Sequence, residues 1–529
     1  MAALGYLRTP YIVRCLSRHS RQVVRPVVLK TWQVQGMATH ASVDDIKLKD
    51  PSLFKQEAFV NDKWTSGSAQ ERFDVYDPAT GKVIGTCPDM SAQDTRNAIE
   101  VAEKAFHSWA TQSAKSRHDI MKKWYDLMME NQEDLGKILT WENGKTFTEA
   151  KGEIAYGASF IEWFAEEAVR TYGDIIPSPT PGNRFLTIKQ PVGVCGIITP
   201  WNFPNAMITR KVGAALAAGC TVVVKPGSET PFSALAIAEL GLRAGIPPGV
   251  LNVVTSHKHM KDVGEELTTN PLVKKISFTG STPVGKLLMR QSSSTLKKMS
   301  LELGGNAPFI IFDDADVDSA VEGAIMSKFR GTGQTCVCAN RIYVQKGIYD
   351  EFASKVAAKV EKFKAGNGFD PATTHGPLIH EKAVEKVQRH VDDAVKQGAQ
   401  VLAGGKHLGG NFYQPTVLGG MTGDMILSSE ETFGPVAGLF PFSTEDEVIQ
   451  LANNTPFGLA AYFYSRDIGR CFRVAERLDT GMVGVNSPMV SSPYAPFGGV
   501  KESGMGREGS KYGIQDYMNV KFINLGNLQ

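Results

Sequence analysis

The sequence predicts an α/β protein with two parallel-sheet units, and three observations carry that expectation. The chain has 529 residues, more than a single hydrophobic core usually holds, so two or three domains are expected. From Val192 onward, short apolar stretches alternate with helical ones, as in a parallel sheet covered on both faces. A second series of the same kind begins at "PFIIFDD", Pro308–Asp314.

The chain opens on a basic arm. Residues 1–40 hold Arg8, Arg14, Arg18, Arg21, Arg25 and Lys30 and no acid. An Arg-rich, acid-free start with serines resembles a mitochondrial transit peptide. The mitochondrial matrix is therefore the expected location, with the folded body starting between Met37 and Ser52. The net charge is +2, and without those six positives the remainder carries about −4. That balance argues against nucleic acid as a partner. No apolar run is long enough to span a bilayer, so no membrane is expected either.

Beyond the arm, "AFVNDKW" reads as a hairpin turning at Asn61-Asp62. Short strands are expected near Asp74–Tyr76 and Val83–Thr86. From Ser91 to about Gly173 the pattern is helical: Ser91 suits a cap, and Ala102, Phe106, Trp109, then Ile120, Trp124 and Leu127 recur every three or four residues. The prolines of "IIPSPTPGNRFLTIKQPVG" end the helices, and "RFLTIKQ" alternates like a strand.

In the first α/β series, "GVCGIIT", "CTVVVKP", "GVLNVVT" and "KKISFTG" are strands and "PFSALAIAELGLRAG" is an amphipathic helix. Strands and helices in that order form a sheet with a nucleotide-type crevice. In the second series, strands are expected at Pro308–Phe312, Ile342–Gln345, Ala437–Pro441, Ala460–Ser465 and Met482–Val485. A last one lies in the tail, at "VKFINLG".

Chemistry concentrates in a few loops. The seven cysteines, Cys15, Cys87, Cys195, Cys220, Cys336, Cys338 and Cys471, are scattered and form no disulfide framework. Cys336-x-Cys338 lacks the paired spacing and nearby histidines of a zinc site, so no metal is expected. A loop cysteine acts as a nucleophile where its thiolate is stabilised, for example at a helix start. Gly331 and Gly333 would let the backbone approach a reacting carbon. Taken alone, such a cysteine is more often a buried, inert residue.

"LELGGNAP" places Glu302 among apolar residues, where burial would raise its pKa toward that of a general base; an exposed strand-end glutamate is the other reading. "TPWNFP" is a proline-bounded loop able to aim the Asn202 amide at an oxyanion, or simply a turn. "VVVKPGSETP" and "SFTGSTPVGKLL" each run from a strand end into a helix. That arrangement suits a pyrophosphate, although neither carries the full glycine fingerprint.

Together these stretches resemble the aldehyde dehydrogenases. "TPWNFP", "KPGSETP", "FTGSTPVG", "LELGGN", "GQTCVCANR", "EETFGP" and "PFGGVKESGMGRE" occur in that family's order, from about Leu48 to the end. "CVCANR", "EGSKYGI", "ASFIEWFAEEA" and "PLIHEKAVEKV" resemble its succinate-semialdehyde branch. The resemblance implies a Rossmann-type cofactor domain from 48–172 and 194–303 and an α/β catalytic domain from 304–505. It also implies a small β-element for oligomerisation from 173–193 and 506–529, with a homotetramer the expected state.

It further implies NADP or NAD as cofactor and oxidation of succinate semialdehyde, a step of 4-aminobutyrate breakdown. By the same resemblance Cys336 is the nucleophile, Asn202 the oxyanion donor, Glu302 the base that activates water, and Lys211 a support for oxyanion and proton traffic. Thr199, Trp201, Lys225, Ser228, Gly280, Ser281, Glu431 and Phe433 would hold the cofactor. Ser228 stands where NAD-preferring members often carry a glutamate, which leaves room for a 2′-phosphate, with Glu229 beside it as a possible counterweight. Arg210 and Arg330 would grip the substrate carboxylate, with a hydroxyl from Ser491 or Ser492. Cys338 would be a redox partner for Cys336. Glutarate semialdehyde and a non-catalytic reuse of the fold are the alternatives.

Overall fold

The hairpin forms where its turn chemistry dictates. Ala58–Val60 pairs antiparallel with Lys63–Thr65, and Asn61 and Asp62 both take left-handed φ, 55° and 59°, as a two-residue hairpin turn requires. The structure, a computed structural model, describes residues 41–528. The basic arm, and with it the transit-peptide expectation, lies outside the described residues. Strands Arg72–Tyr76 and Val83–Pro88 pair with each other. Four helices follow, Ala92–Thr111, Ala114–Glu130, Gln132–Asn143 and Phe147–Ala168. Ser91 caps the first through a capping box with Asp94.

The first large sheet has a five-stranded parallel core. Across the sheet the strands run Leu251–Val253, Thr221–Lys225, Val194–Ile198, Val273–Thr279 and Lys298–Glu302. In chain order that is third, second, first, fourth, fifth. The winding therefore reverses between Val194–Ile198 and Val273–Thr279. Loops leaving those two strands diverge and open a crevice at their carboxyl ends. The hairpin closes one edge, with Phe59 opposite Val253. The antiparallel strand Gly504–Met505 closes the other, against Leu301 and Glu302.

The second sheet runs Gln400–Ala403, Thr416–Gly419, Val436–Phe442, Ala339–Gln345, Ala307–Ile311, Ala460–Tyr464 and Met482–Val485. It is parallel except for its first pair. A three-stranded antiparallel sheet joins Met518–Leu525, Arg184–Pro191 and Ile175–Ile176. Among the described residues no helix is long and apolar enough to cross a membrane.

One helix departs from expectation. Pro231–Ala244 is buried on nearly every face, with only Leu242 and Arg243 partly open, rather than amphipathic. Its small alanines and Ser233 allow it to pack against Ala114–Glu130, Gln132–Asn143 and Leu251–Val253 at once. Thr230 gives it no side-chain cap. The buried Glu142 caps it from a distance, accepting the Phe232 and Ser233 N–H groups at 2.7 and 2.8 Å. Burial pushes Glu142 up to about 8, with those hydrogen bonds opposing the shift.

Candidate active site

The reversal point opens into a cleft of about 390 Å³. Pro200, Trp201 and Asn202 wall one side, following the strand Val194–Ile198, and Thr279, Gly280 and Ser281 wall the next, following Val273–Thr279. Cys336 and Glu431–Phe433 close it from loops of the second sheet.

Glycines make the cysteine loop possible. Residues 331–333 all take left-handed φ, 58°, 56° and 73°, including Thr332, which carries a side chain. A Cβ on Gly333 would stand 2.2 Å from the Gly434 carbonyl oxygen, and one on Gly305 would stand 2.5 Å from that of Cys336. The second glycine of "LELGGN" is thus what lets the two loops touch. No helix starts after Cys336; the next element is the strand Ala339–Gln345, so the expected helix-start stabilisation is absent. Burial pushes the Cys336 thiol up to about 12, opposed mainly by the charge of Arg210. The resting thiol is therefore protonated at neutral pH.

Asn202 is buried and donates from Nδ2 to the Gln334 carbonyl at 3.0 Å. One amide hydrogen remains free, and Oδ1 has no partner. Glu302 ends the strand Lys298–Glu302, buried, with neither carboxylate oxygen hydrogen-bonded. Burial holds it well above the usual carboxylate range, reinforced by Glu508 and opposed by Lys211, Arg210 and Arg507.

Glu508, which the sequence reading did not single out, changes the roles expected of two cations. Lys211 hydrogen-bonds Glu508, and Arg210 lies 3.3 Å from it. Arg210 also hydrogen-bonds the Tyr156 hydroxyl and stacks over Phe497 and Phe160. Both cations sit on the fully buried helix Ala206–Ala218, where a charge needs an internal counter-charge. Neither lines the cleft or the cavity of Arg330, so a substrate grip by Arg210 or oxyanion support by Lys211 would have to act from within the Glu508 pair.

Arg330 is placed differently. It lines a second cavity of about 300 Å³ with the charged side chains Lys145, Glu149 and Glu153 and with Phe203, Met489 and Ser491. Its guanidinium lies 3.6 Å from the Met489 sulfur and over the Phe203 ring. Among the described residues no carboxylate forms an ion pair with it. Ser491 lines this cavity, whereas the Ser492 hydroxyl accepts the Tyr494 N–H at 3.3 Å. Of the two serines, Ser491 is the one in position.

The expected cofactor residues lie around the reversal point. The Thr199 N–H donates to the Lys225 carbonyl at 3.1 Å, joining two strand ends. The Thr199 and Thr279 hydroxyls are buried without partners. Trp201 meets Phe433 edge-on at 5.7 Å. Glu431 accepts the Gly305 N–H at 3.1 Å, and burial pushes it up to about 7. Ser281 starts the helix Thr282–Ser292 with its own side chain uncommitted. Burial lowers the pKa of Lys225, against Glu229 and Asp89, and the Ser228 hydroxyl donates to Glu229 at 3.3 Å.

Orphaned hydroxyls, a bare glycine and a helix start at one crevice fit a dinucleotide. His380, Lys382 and Lys386 also line the cleft and were missed. The lysines' i,i+4 spacing on the helix Glu381–Lys396 was the available signal. Cys338 does not face the cleft. Its thiol is buried, 3.3 Å from the Lys328 carbonyl and 3.2 Å from the Lys328 ammonium, and both it and Cys336 are free thiols.

A dinucleotide-type crevice with a cysteine on its far wall and a buried glutamate behind it defines an oxidoreductase. The chain belongs to the aldehyde dehydrogenase family, whose profile matches residues 64–523, and it is an enzyme of that class. It is similar to the glutarate-semialdehyde dehydrogenase of Pseudomonas putida, 59% identical over 90% of this chain and 99% of that one. It is also similar to the NADP(+) succinate-semialdehyde dehydrogenase GabD of Escherichia coli, 57% identical over 91% of this chain and 100% of the relative. A solved succinate-semialdehyde dehydrogenase from Burkholderia pseudomallei superposes with a TM-score of 0.90 at 56% identity, covering 91% of this chain and 100% of that one.

These comparisons overturn the expected location. The two curated relatives come from Pseudomonas and Escherichia, bacteria without mitochondria, and match over nearly their whole length. The similarity therefore does not place this chain in the mitochondrial matrix, and that expectation is withdrawn.

Proposed function

We propose that the chain oxidises succinate semialdehyde to succinate, with NADP or NAD as cofactor, through a thioester on Cys336. The observation that carries this reading is the half-buried Arg330 guanidinium, in no ion pair among the described residues, lining a cavity with Ser491. A half-buried guanidinium that forms no ion pair favours an anionic ligand, and a carboxylate at the far end of a short aldehyde supplies one.

In this reading the Cys336 thiol gives up its proton to cleft water, helped by the charge of Arg210, and the thiolate adds to the aldehyde carbon. The free Asn202 amide hydrogen and the Cys336 N–H receive the developing oxyanion, each donor lowering the barrier by about 3 kcal/mol. NADP or NAD, when bound, supplies the hydride acceptor. Thr199, Trp201, Gly280, Ser281, Glu431 and Phe433 hold and orient it, with Lys225 and Ser228 at the adenosine ribose. Glu302 takes a proton from water to release the acid, and Glu508 with Lys211 accommodates the charge that Glu302 gains. Residues 48–172 and 194–303 serve as the cofactor domain and 304–505 as the catalytic domain. The exposed apolar face of the small sheet, with Ile176, Val520 and Phe522, serves a homotetramer contact.

The test is Arg330→Leu. It should raise KM for succinate semialdehyde about 10²-fold and leave that for butanal within about threefold. Equal losses on both aldehydes would refute recognition of the carboxylate. Glutarate semialdehyde, one methylene longer, is a second reading favoured by the 59% relative, and comparing kcat/KM for the two semialdehydes decides between them.

For the cofactor, Ser228 leaves space for a 2′-phosphate while the Glu229 carboxylate opposes its charge. Glu229→Gln should raise the NADP-to-NAD ratio of kcat/KM roughly tenfold. An unchanged ratio would place Glu229 away from the ribose.

A further inference from the structure

We propose that the buried pair Lys145–Glu153 is the positioning device that sets the Asn202 amide; this rests on reading Asn202 as the oxyanion donor. The Lys145 ammonium donates to the Glu153 Oε2 at 2.6 Å and to the Asn202 carbonyl at 2.8 Å, and it lies over the Phe203 ring at 4.1 Å. The other Glu153 oxygen accepts the Asn205 and Ala206 N–H groups at 2.9 and 3.3 Å. Asn205 gives the helix Ala206–Ala218 no side-chain cap, so Glu153 does so from a distance. One ion pair thus pins the oxyanion loop at both ends, by a carbonyl before Phe203 and by N–H groups after it. Asn143 adds a bond to the Trp201 carbonyl at 2.9 Å.

The anchor itself is rigid. Lys145 follows Gly144, whose left-handed φ of 86° ends the helix Gln132–Asn143, and Thr146 then caps the helix Phe147–Ala168, which carries Glu153. A Cβ on Gly144 would stand 2.6 Å from Pro377. Burying two charges seldom adds net stability, yet both members of this pair are about 95% enclosed, 5% and 4% exposed. The hydrogen bonds that leave the pair fall on the backbone of Asn202, Asn205 and Ala206. Lys145 also lines the cavity that holds Arg330, but Glu153 already balances its charge. It therefore positions Asn202 rather than binding the substrate carboxylate.

A double-mutant cycle on the full-length enzyme tests this, with kcat measured on succinate semialdehyde at saturating cofactor. Asn202→Ala should lower kcat about 10²–10³-fold. Lys145→Met should lower it about 10²-fold, as a displaced donor does, with KM for the semialdehyde changed less than about threefold. The double variant should match Asn202→Ala within about threefold, since both changes remove one interaction. If Lys145→Met does not fold, Glu153→Gln, which keeps an acceptor for the Asn205 N–H, enters the same cycle with the same expectation. Multiplicative losses, or an unchanged kcat in the single variant, overturn the proposal alone. An Asn202→Ala enzyme with normal kcat removes the oxyanion reading and the proposal with it.

Discussion

Replacing Cys336 by serine should lower kcat about 10⁴-fold or more, the usual order when a covalent nucleophile is lost. The structure makes this demand severe. The thiol is already pushed up to about 12 by burial, and a hydroxyl in the same enclosure is a weaker acid still. Sulfur at least has the Arg210 charge to draw it toward the thiolate. Intact-mass analysis of quenched turnover mixtures should find an acyl adduct on Cys336 in the native enzyme and none in Cys336→Ser. A serine enzyme that turns over at the native rate would sink the covalent mechanism.

The second large effect belongs to Glu302→Gln. Acylation should survive, so one equivalent of reduced cofactor should appear in a burst; steady-state turnover should then fall about 10²–10⁴-fold, the range for a lost general base. The thioester should accumulate on Cys336, visible by the same mass analysis. The sign of the pH dependence follows from the carboxyl. Burial and then Glu508 hold it above the ordinary range. In the native enzyme, hydrolysis should therefore rise with pH as Glu302 ionises, and Glu302→Gln should lose that rise. A glutamine enzyme with native steady-state rate would move the base elsewhere, with Glu508 the nearest candidate.

Local chemistry was legible in the sequence, and long-range pairing was not. Asn61-Asp62 declared its hairpin because two adjacent residues able to adopt left-handed φ is a local fact. The strands at Thr221–Lys225 and Val273–Thr279 declared themselves as apolar runs between helices. The strand Lys298–Glu302 has no such run and is specified by its neighbours on both sides, Val273–Thr279 and Gly504–Met505.

The helix Pro231–Ala244 was misjudged because alanine-rich faces read as intermediate in polarity, although close packing buries them completely. Arg210 looked like a free cation since its counter-charge, Glu508, lies almost 300 residues further along the chain (297 for Lys211 and the same glutamate). Arg330 has no such remote partner, forming no ion pair among the described residues, so its sequence position beside the cysteine loop was enough to place it. Lys145 and Glu153 carried no sequence signal beyond a lysine after a glycine.

The strand Gly504–Met505 and Glu508 also decide how the polypeptide fails. A premature stop codon or a proteolytic nick ahead of Lys501 would strip the rim of the first sheet, freeing the Leu303 N–H that now meets Ser503. It would also strand Arg210 and Lys211 in the interior with no anion, a loss on the order of 3–5 kcal/mol for a broken buried pair. Truncation near the tail therefore does not leave the first sheet intact. A chain stopped ahead of Lys501 should lose the first sheet's rim and the counter-charge of its buried helix together.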